Sequence, residues 1–178
     1  MNRQHQILTL IIFMGFSFSF LNPDYLEWSK DRSLSFADFK GTIPKNTANT
    51  GKSVNLTTVI SYEAQQAKGQ VPKISILNLV DRKSSWIKVK KQEILQIQQI
   101  KFDYSELYAR KIRKEMADMN KKGIKDKQKY IDVITKIAQA SEKRQKNNNM
   151  LLEDQPHLIK IMKKDIQDSL NLYKEYAK

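Results

Sequence analysis

Asp103, Glu106 and Lys101 are the residues of this 178-residue chain whose types and spacing could do chemistry. Two carboxylates three positions apart share one face of a helix, so they could hold a cation or divide acid and base work between them. The structural alternative is simpler. Arg110 stands four positions beyond Glu106, the spacing of an ordinary helical ion pair worth about 0.2–0.5 kcal/mol, and that reading takes precedence. Lys101 would be a nucleophilic amine only if a cleft stripped it of water. A lysine that carries its charge to solvent along an aliphatic stem is the plainer expectation.

Nitrogen and sulfur donors are scarce. The chain has no cysteine, which excludes disulfides, thiol catalysis, thiolate zinc sites and Cys-anchored lipoproteins. Its two histidines are His5 and His157, and a removed N-terminal leader would take the first. One imidazole cannot build the usual cage for a transition metal, so neither a metal nor another cofactor is expected. His157, beside Pro156, reads as a surface residue in the first turn of a helix. Trp28 and Trp86 read as core or cleft-wall aromatics. Asn55-Leu56-Thr57 fits the glycosylation acceptor pattern but falls inside an expected strand. Phosphate-loop, dinucleotide-binding and nucleophile-elbow motifs are missing.

The elements that must position these residues follow from periodicity. Residues 22–52 are rich in turn formers. Ser53–Tyr62 alternates and is β-branched, predicting a strand; Lys73–Val80 predicts a second, with Ile74, Ile76 and Asn78 on one face; Ser85–Val89 predicts a short third. The period then becomes helical. Ile94, Ile97, Ile100, Leu107, Tyr108, Ile112 and Met116 predict a helix from Lys90 to Asn120, ended by Gly123. Tyr130, Val133, Ile134, Ile137 and Ala140 predict a second helix over 126–146, interrupted at Asn147-Asn148-Asn149. A third starts near Pro156 and carries Ile159, Met162, Ile166, Leu170 and Tyr173. Strands first and helices after them predict an α+β domain, with about three helices packed on a small antiparallel sheet.

The N-terminal apolar run predicts export from the cytoplasm. Ile7–Leu21 is a run of 15 apolar or small residues behind Arg3, short of the ~20 that span a bilayer, and Asn22-Pro23-Asp24 breaks it. We read 1–20 as a signal peptide, with small residues Ser17 and Ser19 before the cut, and 21–178 as one domain, periplasmic or secreted. No membrane span is expected once the signal is removed. The formal net charge is +13, and it is uneven: residues 1–81 hold eight basic against six acidic residues, and residues 82–178 hold 24 against 13. Six of the 32 basic residues are Arg, so the charge is mainly hydrated lysine and nucleic acid is not the expected partner. An anionic envelope component or a protein partner is compatible with it.

Several blocks, in order, resemble a family of secreted bacterial proteins of unknown function with a zincin-like fold. Leu34-Ser35-Phe36-Ala37-Asp38-Phe39-Lys40-Gly41 looks like that family's W/F-x-D-F-x-G signature. Ser85-Trp86 resembles the end of its second strand, and Glu106–Arg113 resembles the continuation of its helix. The likeness spans residues 25–115. The family's H-E-Q-x-H-F-D motif then falls on Ile97-Gln98-Gln99-Ile100-Lys101-Phe102-Asp103. Two histidines four apart would share a zinc, and the intervening glutamate would take the proton from the bound water. Here Ile97 has no lone pair, Gln98 cannot exchange a proton as a carboxylate does, and Lys101 presents a cation to a dication. The position of the family's third histidine, around Asn147-Asn148-Asn149, holds none. The resemblance implies an exported, non-catalytic metalloprotease-like domain, a pseudoenzyme with a binding or structural role. Two alternatives stand beside it: a hydrolase built from Asp103, Glu106 or Lys101, and a basic module for anionic envelope polymers.

Overall fold

The computed structural model describes residues 22–45, 52–155 and 157–178; the expected signal segment and Pro156 lie outside them. The architecture is α+β, with a small antiparallel sheet followed by three helices. The strands are β1 (Tyr25–Glu27), β2 (Val54–Asn55), β3 (Thr58–Gln65), β4 (Lys73–Asp81) and β5 (Trp86–Ile87). The helices are α1 (Gln92–Lys121), α2 (Lys127–Asp154) and α3 (Leu158–Leu172). Single 3-10 turns cover Phe36–Asp38 and Lys174–Tyr176.

Strand β4 is the centre of a three-stranded sheet ordered β1-β4-β3, all antiparallel. Its register sets Val80 opposite Leu26 on one side and Thr58 on the other. Because side chains alternate along a strand, Ile74, Ile76 and Asn78 share one face, as the sequence implied, and Val80 joins them. That face meets α1: Ile76 packs with Ala109, Ile112, Met116 and Met119, and Val80 packs with Leu95 and Phe102. Helices α2 and α3 pack in turn against α1. Tyr130, fully buried, stands at the α1–α2 junction with its hydroxyl 2.9 Å from both Asn120 Oδ1 and the Ile124 carbonyl. Gly123, at φ +66°, supplies the left-handed residue that ends α1, and Ile124 N donates back to the Met119 carbonyl.

Four boundaries differ from expectation. The stretch read as one strand over 53–62 is two strands with different partners, β2 on β5 and β3 on β4. The switch occurs at Thr57, whose N–H donates to Ser85 Oγ while its carbonyl accepts from Asp81 N. The third strand is two residues long rather than five, because its partner β2 is equally short. Strand β1 lies where only turns were expected, and its three residues are recruited by the edge of β4. Helix α2 runs through Asn147-Asn148-Asn149 to Asp154; the weak helix preference of asparagine does not interrupt it. No described helix is long and apolar enough to cross a membrane.

Candidate functional site

The turn of α1 around Ile97, Gln98 and Lys101 is packed, not open. Ile97 and Ile100 form an apolar cluster with Tyr104 and with Leu158, Ile159 and Met162 of α3. Helix α3 therefore covers Ile97. Gln98 is 1% exposed, and its Oε1 has no hydrogen-bond partner among the described residues. Lys101 is half-buried. Among the described residues no three His, Cys, Asp or Glu side chains converge as a set that could hold a metal ion.

Glu106 belongs to a different site from Asp103, although the sequence places them one turn apart. Glu106 is 2% exposed, and its Oε1 accepts from Arg110 Nε at 3.0 Å and from Arg113 Nη1 at 2.9 Å. The two guanidinium groups continue outward. Arg110 Nη1 donates to the Leu170 carbonyl at the end of α3, and Arg113 donates to the carbonyls of Ile76 on β4 and Tyr176 beyond α3. The carboxylate thus neutralises a clamp that fastens α1 to the sheet and to the C-terminal turn. The spacing-of-four ion pair read from sequence is present, and it is buried and doubled.

Asp103 turns the other way. Its Oδ1 accepts from Trp28 Nε1 at 2.9 Å and from Gln99 Nε2 at 2.8 Å. Gln99 Oε1 accepts in turn from the Leu34 backbone N–H at 2.7 Å. Burial raises the Asp103 pKa above the ordinary 3.8, against the opposing pull of those two donors and of Lys163; Glu106 adds a smaller upward push. The carboxylate borders a cleft of about 150 Å³ lined also by Ser33, Leu34, Gln96, Gln99 and Lys163. That volume is well below the roughly 300–1,000 Å³ of ordinary ligand pockets. The arrangement can accept or release one proton at Asp103, but among the described residues no second carboxylate lines the cleft.

Residues 34–41 and the Ser85-Trp86 pair form a joint. Asp38 is 1% exposed; its Oδ2 accepts from Ser35 N and Oγ at 2.9 Å, and its Oδ1 pairs with Arg32 and Arg82. Gly41 N donates to the Ser85 carbonyl at 2.7 Å, and Ser85 Oγ donates to the Asp81 carbonyl at 2.6 Å. A Cβ on Gly41 would stand 2.5 Å from the Lys83 carbonyl oxygen and 2.8 Å from that of Ser85. The D-F-x-G and Ser-Trp blocks hence dock the 22–45 loop on the β4–β5 turn. The Ser35-x-x-Asp38 spacing is a capping-box pattern that signals the local turn, though not its docking on β4–β5, and the sequence reading missed it.

The remaining candidates are structural. Trp28 packs in two apolar clusters, and the Arg110 guanidinium lies 5.1 Å from its ring centre, so its one indole spans the Asp103 and Glu106 groups. Trp86 is buried in β5. His157 is exposed at the start of α3. The Asn55 amide donates to Thr57 Oγ1 and the Ser84 carbonyl, so the acceptor-like tripeptide is tied into the strand switch. Compared with known proteins, the chain matches no family model, no curated protein and no solved structure.

Proposed function

We propose that this is an exported, zincin-like domain without catalytic activity, a pseudoenzyme whose role in the cell envelope is binding or structural. The observation that carries the reading is the cover of Leu158, Ile159 and Met162 over Ile97. A catalytic zinc needs an open coordination position and donors aimed at it. Apolar packing at the first ligand position, an amide at Gln98 and an ammonium at Lys101 supply neither. The zincin-like assignment is supported by the order of blocks over 25–115, and export is supported by the apolar run of residues 7–21.

Elemental analysis of the purified protein tests the metal half of this reading, and turnover of a broad peptide library tests the catalytic half. The expected results are no stoichiometric zinc and no cleavage; one zinc per chain would overturn the proposal. Cell fractionation with N-terminal sequencing tests export, the expected mature chain beginning near residue 21.

One observation favours a second reading. Asp103 combines a raised proton affinity with a place on a cleft, as a general acid does. Peptide or glycoside turnover abolished by Asp103→Asn would establish a hydrolase of that kind.

A further inference from the structure

A groove of about 380 Å³ runs between α1 and α2, with Tyr173 at one side. Tyr108, Lys111 and Glu115 recur at spacings of three and four on α1, so they share a face. Lys136, Ile137 and Ala140 face them from α2. The Lys111 ammonium lies 4.7 Å from the Tyr108 ring centre and 6.0 Å from that of Tyr173. Ring faces attract a cation, but they do not cancel its charge. Among the described residues no carboxylate pairs with Lys111 or Lys136, whereas neighbouring Lys114 is bound to Asp118 at 2.7 Å.

From this we propose that the groove binds a phosphate monoester, with the phosphate between Lys111 and Lys136 and an aromatic or aliphatic body against Tyr108, Ile137 and Ala140. Charge count selects phosphate over carboxylate. Two ammonium groups line the groove, Lys111 also feels Arg144, and a phosphate monoester brings about 1.5 to 2 negative charges at neutral pH, against one for a carboxylate. Glu115 lines the groove as well and offsets part of the attraction of the two lysines. Burial, and then Arg144, push Lys111 below the ordinary lysine range, so the unliganded groove holds a cation at a cost that an anion would relieve. The volume is within the ordinary range for a small-molecule site. The inference is independent of whether the domain descends from a metalloprotease.

Titration of the full chain with phenyl phosphate, followed by protein NMR, tests it. Saturable shifts are expected at Tyr108, Lys111, Ile137 and Tyr173, with inorganic phosphate and benzoate each binding more weakly than phenyl phosphate. Lys111→Gln and the more exposed Lys136→Gln should each weaken binding about tenfold, the loss of one charge-assisted contact. Lys164→Gln, outside the groove, should leave it unchanged. No saturable shift at millimolar phenyl phosphate would overturn the proposal. So would equal binding of uncharged benzyl alcohol, or full binding retained in both groove variants.

Discussion

Arg110 holds the carboxylate of Glu106 at 3.0 Å in a site almost closed to solvent, their side chains 6% and 2% exposed. A helical pair of this spacing is worth little on a surface, but here removal of the acid strands buried Arg110 and part-buried Arg113 as uncompensated cations. Glu106→Ala should lower unfolding stability by about 3–5 kcal/mol. Glu106→Gln, which keeps an acceptor but not the charge, should fall between it and the parent. The midpoint of urea unfolding reads both, and a loss within error for the alanine variant would remove the clamp from the account.

Gly41 should tolerate no side chain. Both atoms that a Cβ would meet are backbone carbonyl oxygens, which cannot rotate away as a side chain would. Gly41→Ala is expected to destabilise by about 1–3 kcal/mol, with the loop displaced from the β4–β5 turn. Thermal unfolding measures the loss, and easier proteolysis within 22–45 would locate it.

At the covered turn, two neighbours should respond in opposite ways. Ile97→Ala opens space beneath α3 and should cost about 2–5 kcal/mol. Gln98→Leu exchanges a buried amide with an unpartnered Oε1 for an apolar side chain, and should leave stability within about 1 kcal/mol of the parent or raise it. A large loss for Gln98→Leu would mean that its amide is satisfied by something the protein needs.

The pH dependence of stability should carry the signature of Asp103. A carboxyl with a folded-state pKa above its unfolded value binds more protons when folded, so its contribution to stability falls as pH rises from the ordinary 3.8 through the raised value. Exposed Asp118, held low by its hydrogen bond to Lys114, acts in the other direction. The informative quantity is the difference between the parent and Asp103→Asn, whose amide oxygen can still accept from Trp28 and Gln99. The variant should gain on the parent as pH rises through that window. A difference that stays constant with pH would show that Asp103 titrates normally.

Local periodicity made α1 legible to within two residues at each end, because Ile97, Ile100, Ile112 and Met116 repeat at the period of the element they form. The break at Thr57 was not legible. Val54, Leu56, Thr58 and Ile60 keep alternating across it, and the partners that mark the change, Ser84 and Ser85 among them, lie some 28 positions away. The Glu106–Arg110 pair could be read from spacing, but the reach of Arg113 to Ile76 and Tyr176 depends on tertiary approach. In the same way, counting charges located the excess in residues 82–178 without showing that Lys111 and Lys136 would face one another across two helices.

Helix α1, 30 residues long, extends about 45 Å at 1.5 Å per residue. Asp103 and Lys111 sit on it eight positions apart, about 12 Å along a single rod. The rod is bolted between them, at Glu106 and Arg110, to α3. The Asp103 cleft and the Lys111 groove therefore keep a fixed separation, set by one continuous helix that is fastened between them.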